Sequence, residues 1–280
     1  MDMNKNMDRV LGLINSICAI IGMILFVMER NKQAMIFVII VAVAICLYIY
    51  IIASKLFMKK KHFYLDHDRE ISLFLDRYPK TMKRFLHTEP FISVMGINDN
   101  FDMENVGVAS VHRSFKEYMF EEGEYKEFSN VVKKCVEKEC NVPYGTTVEP
   151  YTCVFVPFET SRYRDTKTSV LFVVNSKIGK EGNKIIGYDV QSVIDSVFEE
   201  LSEKSWEIVL FPVISGRNVY PRNKSQYIKT VQLILNNFLD LGEEGRGKHL
   251  VISLHSKSLK ENGYSFEDIC KLVEMCIHVD

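Results

Sequence analysis

The sequence lacks the signatures that mark most metal, redox and nucleic-acid proteins. Its 280 residues carry 35 Lys+Arg against 36 Asp+Glu, a net charge of −1. That balance excludes a basic field of the kind that holds nucleic acid. The seven cysteines are Cys18, Cys46, Cys135, Cys140, Cys153, Cys270 and Cys276, and none forms a CxxC pair. No HExxH or HxxxH accompanies them, so neither a structural metal nor a resident cofactor is expected. They read as reduced packing cysteines of a cytosolic setting. No Ser-His-Asp or Cys-His set has a persuasive local signature. There is no internal repeat and no low-complexity segment, which excludes a solenoid.

What the chain does have, first, is two uncharged apolar runs, Val10 to Met28 and Ala34 to Ala53. At about 1.5 Å per residue each reaches roughly 30 Å, the thickness of a bilayer core. Only ERNKQ, residues 29 to 33, separates them. The expectation is a transmembrane helical hairpin over residues 1–58, with the lipid bilayer as a partner. A cleaved signal peptide fits poorly, because the first run is too long and the loop offers no small-residue cleavage site. Lys55, Lys59, Lys60 and Lys61 follow the second run and Lys5 and Arg9 precede the first. The positive-inside rule then predicts an inner-membrane, multi-pass protein with both termini cytoplasmic. Asn15 is either a tolerated polar residue or a bond between neighbouring copies.

Residues 59–90 are charged with an apolar stripe, including Leu65, Ile71, Leu73, Phe74, Leu75 and Tyr78. The spacing predicts a stalk helix, with His62, His67 and His87 at solvated positions. From residue 91 to 280, strands alternate with helices. Residues 91–97, 151–158, 169–175, 207–213 and 249–255 read as strands. Residues 124–140, 188–203, 221–241 and 266–276 read as helices. That order predicts an α/β domain of three layers around a central mixed sheet.

Ligands of open α/β sheets bind beyond the carboxyl ends of strands. Two loops have that character. One follows strand 91–97 through Asn98, Asp99 and Asp102 to Gly107 and Val108. The other follows strand 207–213 through Ser215, Gly216, Arg217 and Asn218. A glycine between strand and helix lets main-chain N–H groups approach an anion closely, and Arg217 adds a charge-assisted contact.

The order Gly96-Ile97-Asn98-Asp99, Val106-Gly107-Val108-Ala109-Ser110-Val111-His112-Arg113, Tyr144-Gly145-Thr146-Thr147-Val148 and Phe211-Pro212-Val213-Ile214-Ser215-Gly216-Arg217 resembles a macro domain, the ADP-ribose-binding α/β fold. Behind two apolar runs, the set is similar to the macro-domain membrane effector of type II Thoeris anti-phage defence. The resemblance implies a ligand that is an ADP-ribose derivative, histidine–ADP-ribose, made by a partner TIR-domain enzyme. It also implies a homo-oligomer on activation, and membrane disruption leading to cell death. Asn98 and Asp102 would then meet the sugar or distal group. Gly107, Val108, Ser215 and Gly216 would offer N–H groups to the diphosphate, with Arg217 and Asn218 beside it.

The sequence departs from general macro domains. The Gly-rich run is reduced to Gly107, and Ala109-Ser110 replaces the Asp-Gly of many hydrolytic members. The Asp that holds adenine, in a Gly-Asp-Ile-Thr run, has no clear counterpart. Three functions stay open on the residues. One is a receptor-effector. Another is a membrane-tethered ADP-ribosyl or phosphate-ester hydrolase using His112, Asp99 and Asp102. The third is a structural adaptor that binds a protein.

Overall fold

A computed structural model describes residues 43, 45, 46, 48, 60–65, 68–87, 90–104, 110–163, 167–178, 185–214, 224–241 and 248–278. The chain divides into two compact units, Met1–Met58 and Lys59–Asp280. The first consists almost wholly of residues outside the described set, and so do most of the apolar runs 10–28 and 34–53.

Among the described residues of the second unit, eight strands form one sheet. They are β1 (Lys60–Tyr64), β2 (Glu70–Leu75), β3 (Phe91–Asn98), β4 (Cys153–Pro157), β5 (Thr168–Ile178), β6 (Ile185–Gly187), β7 (Ile208–Pro212) and β8 (His249–Leu254). Seven helices accompany them: α1 (Tyr78–Phe85), α2 (Val111–Met119), α3 (Glu124–Glu139), α4 (Val190–Ser202), α5 (Lys224–Asp240), α6 (Ser256–Glu261) and α7 (Phe266–Ile277). The strand order is β1-β2-β8-β7-β3-β5-β4, with β6 also paired to β5. The five central strands β2, β8, β7, β3 and β5 run parallel, while β1, β4 and β6 pair antiparallel at the margins. The fold is therefore α/β with a mixed central sheet.

The parallel strands are buried on both faces and read as near-continuous apolar runs, as such strands must. Along β5, Leu171 and Val173 join one core with Val193, Val197, Val231, Leu235, Ile269 and Val273 of α4, α5 and α7. Phe172 points the other way, into rings from α2 and α3. There Phe115, Phe128 and Phe158 meet at centroid distances of 5.6 to 5.8 Å, and Phe172 lies 6.3 Å from Phe128. These tilted and edge-to-face arrangements suit the ring quadrupoles.

The helix ends are locally specified. Ser110 accepts a hydrogen bond from the Arg113 N–H at the start of α2, and Asp189 caps α4 through the Ser192 N–H. At α7 the Ser265 and Asp268 side chains form a capping box. Such caps are worth roughly 1 kcal/mol each.

Two expectations need correction. Residues 59–90 are not a stalk helix: within the described part they form β1, β2 and the short helix α1. The apolar residues of 70–75 have a strand's period as well as a helix's. Ile71 and Leu73 alternate with Ser72 and Phe74, and the strand wins because β8 and β1 pair with it on both sides. His62 is accordingly no solvated stalk residue. Its Nδ1 meets the Glu70 carboxylate at 2.5 Å and the Ser72 hydroxyl at 2.8 Å, and that hydroxyl also meets His249 Nε2 at 2.8 Å. One polar network thus joins β1, β2 and β8.

The inner-membrane placement is also overturned. Among the described residues no helix is long and apolar enough to cross a membrane. The longest of them, α5, has 17 residues, about 26 Å against a core of about 30 Å.

Phe172 is fully buried between the rings of α3 and the sheet. Phe172→Ala should lower unfolding stability by about 3–5 kcal/mol, the range for large aromatic truncations in packed cores, measured by urea denaturation. A loss below about 1 kcal/mol would contradict the packing described.

Candidate ligand-binding site

The site is defined by the ladder between β3 and β7. These strands are parallel neighbours, with Phe91 opposite Ile208 and Ser93 opposite Leu210. Their carboxyl ends, Asn98 and Pro212, therefore open onto the same edge of the sheet, and so does the end of β5 on the other side of β3. The two sequence-predicted loops leave from that edge. Of the predicted residues, Asn98 and Asp102 are described. Gly107, Val108, Ser215, Gly216, Arg217 and Asn218 lie outside the described residues.

Asn98 and Asp102 are brought together as folding devices of the first loop. The Asn98 side-chain oxygen accepts from the Asp102 N–H at 2.9 Å, and the Asn100 side chain accepts from the same N–H at 3.1 Å. The Asp102 carboxylate in turn accepts from the Glu104 N–H at 2.9 Å. Such Asx turns let a short polar side chain replace a backbone partner. Between them Phe101 is fully buried at φ 51°, a left-handed conformation that an aromatic residue rarely holds unaided.

Two tyrosines secure this stretch from beneath. Tyr144 donates its hydroxyl to the Phe101 carbonyl at 2.8 Å, and Tyr125 donates to the Met103 carbonyl at 2.5 Å. Tyr125 also meets His112 Nε2 at 3.0 Å. The sequence singled out Tyr144 only within the Tyr144–Val148 turn and Tyr125 not at all, because nothing in a lone Tyr on a helix or after a Pro signals a distant carbonyl.

His112 was a suspect for acid–base work. It is only 5% exposed, between Tyr125 and Phe172. Burial, with the Lys116 charge adding to it and the Asp102 carboxylate opposing, pulls its pKa down to about 4. At neutral pH it is an uncharged ring supporting the loop from inside.

Gly96 has a packing reason. A Cβ there would stand 2.1 Å from the Asn175 side-chain nitrogen, so any larger residue at this point would have to displace the Asn175 side chain.

A carboxylate that the sequence analysis did not single out stands on the same edge. Asp76 directly follows β2, whose carboxyl end opens on the same side as those of β8, β7 and β3. One of its oxygens accepts from the Arg77 N–H at 2.8 Å and the other pairs with Arg84 at 3.4 Å. The signal was hidden because residues 70–76 were assigned to a helix, where Asp76 ends no strand.

The sheet order, the flanking helices and the loop-bearing edge define a macrodomain fold. Among solved structures, the chain is similar to the Oceanobacillus iheyensis macrodomain. A mutant of that protein shares 13% identity over 78% of this chain and 95% of its own, with a TM-score of 0.50. The same macrodomain in a structure with ADP shares 13% identity over 78% of this chain and 98% of its own, again with a TM-score of 0.50. At that identity the likeness establishes the fold. No family model and no curated protein sequence matches the chain.

A buried His whose folded pKa lies below its unfolded value near 6.5 contributes stability that is complete above about pH 6.5 and is lost as pH falls toward 4. The thermal midpoint should therefore drop between pH 7 and pH 5, and His112→Gln should flatten that drop. Equal pH slopes in the two proteins would contradict the assignment.

Proposed function

We propose that the Lys59–Asp280 unit is a receptor for an ADP-ribose derivative, bound along the carboxyl edge of β2, β8, β7 and β3. The observation that carries the reading is the parallel adjacency of β3 and β7, since it starts both glycine-bearing loops from neighbouring points. In this reading Gly107, Val108, Ser215 and Gly216 offer main-chain N–H groups to the diphosphate. Arg217 balances its charge and Asn218 lies beside it. Asp76 meets the base, and the first loop carrying Asn98 and Asp102 contacts the sugar. The macrodomain neighbour with ADP supports a nucleotide diphosphate as the ligand class.

A receptor is favoured over a hydrolase by the state of His112. Buried and neutral, it is poorly placed to exchange a proton with a ligand. The resemblance to the Thoeris effector supports the finer reading. There the ligand is histidine–ADP-ribose made by a TIR-domain enzyme, and its binding drives self-association of the chain and death of an infected cell. A ligand drives such a change only through its differential affinity for the two states.

Isothermal titration of the full chain with ADP-ribose compounds should show saturable binding without turnover. The native state should gain about 2.7 kcal/mol at one hundred times Kd. Gly216→Glu should abolish binding while the thermal midpoint without ligand is unchanged. Unaltered affinity in that variant would refute the loop assignment, and turnover would restore the hydrolase.

A further inference from the structure

Among the described residues the sheet ends on one side in β1 and on the other in β4 and the short β6, and the two sides are finished differently. Along β4, the Val174 N–H donates to the Thr152 carbonyl and the Phe158 N–H to the Thr168 carbonyl. Even-numbered positions of β4 therefore face β5, and residues 153, 155 and 157 turn their main-chain groups outward. The outward Phe155 N–H is taken by the Glu139 carboxylate at 3.2 Å, and Pro157 has no N–H to offer. That edge is closed to a further strand.

The β1 edge carries no such closure. The Leu65 N–H donates to the Arg69 carbonyl at 2.8 Å, so odd-numbered positions of β1 face β2. Lys60, His62 and Tyr64 then turn their main-chain groups outward, and no group among the described residues takes their N–H. The strand is pinned in place, since the His62 ring is held by Glu70 and Ser72 of β2. On the His62 face lie the exposed Lys60 and the ring of Tyr64, which is 77% exposed. Lys61, on the opposite face, is tied to Glu274 at 3.6 Å and stands 5.6 Å from the Phe63 ring centroid.

Edge lysines ordinarily repel a further strand. Here they select one. A second β1 laid antiparallel about a two-fold axis at His62 uses all five residues and sets Lys60 of each copy opposite Tyr64 of the other. The ammonium then meets an open aromatic ring, and Lys61 lies opposite Phe63. Sliding the strands toward their amino ends would instead set lysine against lysine.

We propose that β1 is an interface between two copies of this chain, joined antiparallel about a two-fold axis at His62 so that their sheets become continuous. Because the β4 edge is closed, the pairing stops at a dimer and does not run on into a filament. Five residues a side make a small contact, so the dimer is reversible and depends on concentration. The interface follows from strand pairing and does not depend on the ligand.

Sedimentation equilibrium of the full chain across a concentration series tests it. The wild type should associate reversibly. Tyr64→Lys sets like charges opposite each other at two symmetric places and should weaken association about tenfold. The thermal midpoint of the dilute protein should not change, because the ring is exposed. Adding Lys60→Glu to that variant restores an attractive pair and should recover most of the loss. In the wild type, hydrogen exchange of the His62 and Tyr64 amides should slow as concentration rises. A wild type that stays monomeric, or association that Tyr64→Lys leaves unchanged, overturns the interface. So does exchange at His62 and Tyr64 that ignores concentration.

Discussion

The parallel ladder between β3 and β7 is the constraint on which everything else rests. Parallel pairing sets the carboxyl ends of two strands side by side, although Asn98 and Pro212 stand 114 positions apart in the sequence. An antiparallel arrangement would send the two glycine loops to opposite edges and leave no shared site. The ladder holds because both faces of the strands are covered. Aliphatic side chains from α4, α5 and α7 close one face and a layer of phenylalanines from α2 and α3 closes the other.

Two groups of polar residues in this sheet differ in kind. At the outer strands the His62, Glu70, Ser72 and His249 groups satisfy one another. The Ser72 hydroxyl donates to Glu70 and stands within hydrogen-bonding distance of both imidazoles. Burial depresses the His249 pKa, and the Glu70 carboxylate offsets that in part. Glu70 approaches the same His62 nitrogen that meets Ser72, so no relay runs from hydroxyl through imidazole to carboxylate. That network is a clasp. At the carboxyl edge, by contrast, the buried Tyr227 hydroxyl, in the first turn of α5, has no hydrogen-bond partner among the described residues.

Much of this was legible in the sequence, and the limits have physical causes. Strands β3, β5, β7 and β8 stood out because central parallel strands are unbroken apolar runs, and α4 and α7 because their buried stripes keep a helical period. Strands β1 and β2 did not. Five- and six-residue segments with charges at their ends carry too few positions to separate a period of 2 from one of 3.6. Losing β2 also lost Asp76, since a residue can be recognised as ending a strand only once the strand is seen. Asn98 and Asp102 were recognised as loop residues, but the structure adds that they fold the loop before they touch anything else.

The most direct test of the account is a crystal structure of the chain with ADP-ribose. The account predicts the diphosphate against main-chain amides of the two loops that follow Asn98 and Pro212, with the terminal ribose directed toward the end of β5. A ligand seated at the amino edge of the sheet, or on a face away from the β3–β7 ends, would contradict it.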